Sequence, residues 1–308
     1  MITAWALPLL IVTHGSPSAG VSPRPVAWAA QSPRPAACLG APGLWEVSRQ
    51  ALVGRRCREL GRAQALLARA PEQARDRAAA LLVEAPDFKE ARVLHGRASL
   101  RAGDAETALT ELTPLLADDA APLADPAALL DGGRAALARG DLSRAARFYR
   151  ALGSRAALLA DRKQQSVAYI EIAGALIASD PAPLDDVLAY LREARRRSAG
   201  SGLTGLCAAL TAVAWAAQGR EAEAQGALGE LTDIDALARL ESEKAVSLAD
   251  GLLHAALGLA LERTHPEQSA KHYQQLADGP LGKTSLGKLA TRDRGRAGGK
   301  AEPKRGRR

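Results

Sequence analysis

The chain has 308 residues, is 47% hydrophobic but only 3% aromatic, and carries a formal net charge of +7. Ala, Leu, Arg and Glu dominate while β-branched runs are rare, which favours helices and excludes sheet-based classes. Residues 282–308 hold ten Lys/Arg against two Asp/Glu and the rest holds 31 against 32, so the body is neutral and a nucleic-acid binder that is basic all over is excluded.

Residues 4–12, AWALPLLIV, form an apolar run too short to span a bilayer. The run resembles the hydrophobic region of a secretory signal peptide, and Ala27-Trp28-Ala29 is an A-x-A-like cleavage site, so residues 1–30 read as a leader. No Lys or Arg precedes the run and the site lies far downstream of it; a start codon placed wrongly would leave the same marks. Pro35-Ala36-Ala37-Cys38 faintly resembles a lipoprotein box, without its leucine. Residues 31–54 read as an N-terminal extension and cap. Cys38 and Cys57 flank Leu44-Trp45. In an exported chain a Cys38–Cys57 disulfide would staple this extension onto the first helix and let Trp45 cover the end of the helical array; in a cytosolic chain both are thiols. Cys207 lies alone in an Ala/Leu helix, where a free cysteine acts as a small hydrophobe.

From residue 55 to 278 one five-point pattern recurs. It reads Gly96, Gly103, Ala108, Leu112, Leu115; then Gly133, Gly140, Ala145, Tyr149, Leu152; then Ala212, Gly219, Ala224, Leu228, Leu231, with steps of seven, five, four and three residues each time. The spacing predicts helix, tight turn, helix. Gly103, Gly140 and Gly219 end the first helix through positive φ, and Asp104 and Asp141 cap the second, whereas Arg220 is a poor cap. The small residue in the first helix and the alanine in the second let the two helices cross closely. Weaker copies flank these. Ala74, Ala78, Leu81 and Pro86 match the second half of a unit placed 34 residues before the first. Gly174 and Tyr190 are 16 apart, like Gly133 and Tyr149, with Asp186 where the alanine belongs. Gly258 and Ala270 suggest a last unit.

Other motifs weigh less. Residues 277–284, ADGPLGKT, match a loose phosphate-loop pattern, but follow a helix where the chemistry needs a strand. Residues 279–291 read better as a C-terminal capping helix lined by Leu281, Leu286 and Leu289. His14, His95, His254, His265 and His272 form no cluster with zinc spacing, and Ser16 and Ser18 belong to no Ser/His/Asp set. Asp118-Asp119 and Asp185-Asp186 at helix starts or ends, and Arg195-Arg196-Arg197 at a helix end, suit the helix dipole. Residues 292–308 are a Gly/Lys/Arg tail that reads as disordered.

The repeat resembles the tetratricopeptide (TPR) family, which pairs a small residue in helix A with a Gly-Asp type turn and an alanine followed by a large apolar residue in helix B. The family's helix-A tryptophan and tyrosine are absent, so the units are divergent. A plain helical bundle is the alternative. The resemblance implies an all-α, TPR-like solenoid, a right-handed superhelix of five or six antiparallel helix pairs. It implies a non-enzymatic scaffold, without cofactor or small-molecule substrate, that binds a protein or peptide on the concave face formed by the first helices. Outward positions there are Glu90, Val93, Arg97, Arg101, Leu130 and Arg134. The Lys and Asn of the acidic-tail clamp in chaperone-binding relatives are missing, so that partner class is not implied. With the leader, the reading is a scaffold of a bacterial cell envelope, periplasmic or secreted, whose basic tail touches an anionic surface weakly. The alternative is a cytoplasmic regulatory scaffold whose tail contacts nucleic acid.

Overall fold

The computed structural model describes residues 51–117, 125–179, 181–198, 203–231, 233–243 and 246–291, and all regular structure among them is helical. In chain order the helices are α1 (Ala51–Leu66), α2 (Pro71–Glu84), α3 (Lys89–Arg101), α4 (Ala105–Leu112), α5 (Pro126–Ala138), α6 (Leu142–Gly153), α7 (Arg162–Ala178), α8 (Leu184–Arg197), α9 (Leu203–Ala217), α10 (Glu221–Leu228), α11 (Ile234–Glu243), α12 (Leu252–Leu261) and α13 (Pro266–Asp278). Twelve of them form six pairs, α1/α2, α3/α4, α5/α6, α7/α8, α9/α10 and α12/α13, each folded back by a short connection so that the partners run antiparallel. The first helices also touch along the array, α1 on α3, α3 on α5, α7 on α9 and α9 on α12, and so form an inner row. Helix α11 stands outside the pairing and packs on α9 and α12. This is the TPR-like helical-repeat architecture that the spacing predicts.

The turns form as their residues dictate. Gly103, Gly140 and Gly219 have φ of 89°, 70° and 77°. In each, the N–H after the glycine reaches back five residues: Asp104 to Ser99, Asp141 to Ala136 and Arg220 to Trp215, at 2.8, 2.9 and 3.0 Å. This double-bonded closure consumes carbonyls that the helix end leaves open. The next helix then starts on a cap, Asp104 accepting from Thr107 N–H at 3.0 Å and Asp141 from Arg144 N–H at 2.9 Å. Arg220 makes no cap and instead pairs with Glu223, its guanidinium 4.1 Å over the Trp215 ring. Asp161 caps α7 from outside the repeat pattern, 2.8 Å from Gln164 N–H. Helix α8 carries Asp185 and Asp186 in its first turn and Arg195, Arg196 and Arg197 in its last, as the dipole favours.

Within a pair, a residue without Cβ receives a large side chain. A Cβ on Gly96 would stand 2.9 Å from Leu112, on Gly133 2.7 Å from the Tyr149 ring, and on Gly258 2.8 Å from the Tyr273 ring. Leu112, Tyr149 and Leu152 are fully buried, and Ala108, Ala145, Ala212 and Ala224 are buried with them. Leu115, Leu228 and Leu231 pack half-buried against the core.

Two weaker units depart from the expected register. In α7/α8 the inward residues are Val187, Leu191 and Ala194, while Asp186 is exposed. Tyr190 does not cover Gly174; it stacks on Tyr169 with ring centroids 6.0 Å apart. The connection here contains Pro181 and Pro183 and has no left-handed glycine, so the second helix enters turned by one residue. In α12/α13 the slip is opposite: Ser269, not Ala270, is buried, and Ala270 is exposed. Both units carry a cross-bond, Ser166 Oγ donating to the Ala194 carbonyl at 3.0 Å and Ser269 Oγ to that of Gly258 at 2.7 Å.

The C-terminal cap is two short pieces rather than one helix, a 3₁₀ turn Pro280–Lys283 and a helical turn at 287–291. Backbone approach at Gly282 and Gly287 leaves no room for a Cβ. Leu281, Leu286 and Leu289 are buried, as expected. Across ADGPLGKT, the N–H groups of Gly282 and Thr284 donate to the carbonyls of Gly279 and Leu281 at 3.0 and 3.1 Å and are thus used within the turn. The leader, Cys38, Trp45, Asp118-Asp119 and the tail 292–308 lie outside the described residues.

Gly133→Ala should destabilise the protein by about 1–3 kcal/mol, because the new methyl meets the Tyr149 ring. Gly61→Ala on the exposed side of α1, where nothing lies within 4 Å, should stabilise by about 0.5–1 kcal/mol. Urea denaturation midpoints check both, and shifts of the same sign would refute the packing account. The capping bonds to Thr107 and Arg144 hold the Asp104 and Asp141 carboxyls below their ordinary 3.8. A depressed carboxyl stabilises fully above its unfolded value, so this contribution is complete above pH 3.8 and is lost as pH falls through the lower folded values. A chain with both aspartates changed to Asn keeps its caps, and its denaturation midpoint should fall less than wild type's between pH 4 and pH 2.

Candidate interaction face

Charged residues on the inner row are tied from one first helix to the next. From α3, Arg97 Nε donates to Asp131 Oδ2 on α5 at 2.8 Å and Nη1 to Asp125 Oδ2 at 3.0 Å. One repeat on, the Arg134 fork on α5 grips Glu171 on α7, Nε to Oε2 and Nη2 to Oε1, both at 2.9 Å. Tyr149 Oη donates to Glu171 Oε2 at 3.2 Å, and the Ser247 backbone N–H to Oε1 at 2.9 Å. The Glu171 side chain is 0% exposed, Arg97 11% and Arg134 30%. Burial pulls the Arg97 and Arg134 guanidinium pKa values down, but Asp131 with Asp125, and Glu171 with Asp131, overcome it and hold both above the usual arginine value. Burial, and then the Glu171 charge, push the Tyr149 phenol well above 10.0, so it remains a donor at neutral pH.

These bonds change the reading of the inner row. Arg97 and Arg134 are not open cationic contacts, because each is engaged by carboxylates on a neighbouring helix. Leu130 is buried rather than outward, and Val93 is half-buried against the core. Glu90 is half-buried in the first turn of α3, and Arg101 in the last turn is exposed. Counting along the repeat placed these residues on the first helix; it did not reveal that their counter-charges stand on the next one. The available signal was opposite charges 34 and 37 residues apart, Arg97 with Asp131 and Arg134 with Glu171. The 195–197 run is likewise engaged internally: Arg195 pairs with Glu230, Arg196 and Arg197 with Glu193, and Arg197 lies 4.8 Å over the Tyr169 ring.

Helix α7 shows what the face holds. Thirteen consecutive residues, 166–178, are buried, so no side of α7 faces solvent there. Its flanks meet α6, α8 and α9. Toward Glu171 and Gly174, one turn apart, it is met by the irregular segment 246–251. A Cβ on Gly174 would lie 2.7 Å from Leu248 Cδ2 and 3.2 Å from Leu252 Cδ2. The inner face at α7 is therefore occupied by a strap of the chain's own backbone. A second, open depression of about 500 Å³ lies between α8 and α9, lined by Asp185, Leu188, Arg192, Thr211 and Trp215.

Among the described residues no three His, Cys, Asp or Glu side chains converge as metal ligands. His272 meets His254, Nδ1 to Nδ1 at 3.2 Å, across α12 and α13. Cys57 is half-buried on α1; its proposed partner Cys38 lies outside the described residues. Cys207 is buried and free, and loss of solvent pushes its thiol up to about 12.

No protein-family model matches the chain, and no curated protein matches it. Among solved structures it is similar to the crystal structure of the APC/C hetero-tetramer Cut9-Hcn1, at 15% identity and a TM-score of 0.41. The match covers 81% of this chain and 45% of that one, so this chain spans less than half of its length. The fold assignment rests on the pairing, turns and seams described above.

Breaking the Arg134–Glu171 fork leaves a buried charge without its partner. Arg134→Ala should cost about 3 kcal/mol, and the Arg134→Ala, Glu171→Ala double variant less than the sum of the singles by more than about 1 kcal/mol. Additive losses in a double-mutant cycle would show that the two groups do not act as a pair.

Proposed function

We propose that this protein is a non-enzymatic interaction scaffold that binds a protein or peptide along its row of first helices. The observation that carries the reading is the strap: residues 246–249 lie without helical bonding against α7, one backbone N–H on the Glu171 carboxylate. A face that already holds non-helical backbone suits a peptide-binding repeat array. Ion pairs between successive helices hold the row in register, which lowers the ordering cost of binding.

A photo-crosslinking residue at Arg101, exposed beside the row, should trap discrete partners in the native host. The same group at Val83 on α2, which is 84% exposed, should trap none of them. Equal trapping from both positions would count against the reading.

For location we propose the cell envelope, on the strength of the apolar run at 4–12 and the Cys38/Cys57 pair around Trp45. Intact mass of the protein from its native host, alkylated in denaturant because Cys207 is shielded when folded, separates this from the cytoplasmic reading. A shortened chain with one reactive thiol before reduction and three after supports export. A full-length chain with three reactive thiols returns it to the cytoplasm, where the basic surplus of 282–308 favours nucleic-acid contact.

A further inference from the structure

We propose that the inner face of α7 is a subsite for an extended apolar segment bearing a leucine-like side chain, and that residues 246–249 occupy it as the chain's own stand-in. The inference rests on the scaffold reading and names the ligand chemistry of one part of that face.

The geometry defines the ligand. Glu171 and Gly174 lie on one side of α7. Glu171 presents an oxygen, already oriented by Arg134 and Tyr149, to a backbone N–H at 2.9 Å. Gly174 leaves a notch, and Leu248, the residue after that N–H, enters it beside Leu252. The strap itself offers a backbone N–H and the Leu248 side chain, with Leu252 at the start of α12 closing the far edge of the notch, so a segment with an N–H followed by Leu, Ile or Met meets the same demands. A charged segment is disfavoured, because an acidic residue would face the buried Glu171 and a basic one would have to displace the Arg134 fork.

The energetics permit exchange. A backbone hydrogen bond from Ser247 ties the strap to α7; Val246, Ser247 and Leu248 are half-buried and Ala249 is buried. Removing it leaves Glu171 paired with Arg134 and Tyr149, so no carboxylate is stranded. Because the strap is covalently attached, a free segment competes against an effective concentration on the order of millimolar, and native affinity is reduced by the fraction of time the notch is open. The partner that displaces the strap is therefore one that adds contacts elsewhere along the row.

The test uses the full chain and a fluorescent peptide of residues 246–252, Val-Ser-Leu-Ala-Asp-Gly-Leu, followed by anisotropy. Leu248→Ala removes the nearer of the two leucines at the notch and leaves Leu252 at its edge, and Ser247→Pro deletes the N–H that holds the strap. Both variants should bind the peptide at least about tenfold more tightly than wild type. Adding Gly174→Val to either, or replacing the peptide's own serine with proline, should remove that gain. Equal affinity in wild type and both variants would leave the face a peptide binder and overturn the strap as its occupant. Absence of binding to variants that retain wild-type circular dichroism would overturn the subsite, while trapping from Arg101 would still decide the wider scaffold reading. Should neither variant fold, hydrogen exchange on wild type decides: millimolar peptide should speed exchange of the Ser247 and Leu248 amides, and unchanged rates would refute displacement.

Discussion

A pair of short antiparallel helices cannot bury its own apolar faces, and the rest of this structure follows from how that deficit is met. The solution is a small residue under a large one. Gly96 accepts Leu112, Gly133 accepts Tyr149 and Gly258 accepts Tyr273, which brings the two helix axes of each pair close together. Tyr149 makes the consequence concrete: its ring lies on Gly133 and its hydroxyl reaches Glu171 in the next unit. With few aromatics available, alanine and leucine at these seams supply nearly the whole core.

The ion pairs have a different role. Burying Arg97, Asp131, Arg134 and Glu171 adds little net stability over apolar residues of similar shape, since desolvation offsets most of the Coulomb gain. What they add is register. A guanidinium fork meets a carboxylate in one orientation only, so α3 is fixed in rotation and height against α5, and α5 against α7. That matters where seams are lined by alanines, which slide over one another at small cost.

The strap follows from both. Helix α7 is apolar or small on nearly every side, with Glu171 as its buried charge, and such a helix needs cover all round. Four sides cannot be covered by a simple stack of pairs, because the inner side of a first helix has no repeat partner. Segment 246–251 supplies that cover between α11 and α12, where the chain leaves the regular pattern. A departure from the repeat thus falls where a first helix would otherwise expose an apolar face.

How much was legible in the residues depended on the range of the interaction. The regular pairs were readable because turn, cap and seam lie within about twenty residues: Gly103 with Asp104, Ala108 with Leu112, and their copies. The shifted pairs were not, since the rotation of α8 is set by Pro181 and Pro183, and a one-residue turn moves the inward position from Asp186 to Val187. The inner-row arginines were placed on the correct helices but taken as open, because their partners stand a full repeat away. The strap was invisible, with Ser247 and Glu171 separated by 76 residues and joined through a backbone N–H that no residue type advertises. Sequence alone determined the helix pairs, since capping and small-against-large packing are local and chemically specific. Only the tertiary structure decided which charges are spent internally and what lies on the inner face, because long-range contacts depend on how the pairs are rotated against one another.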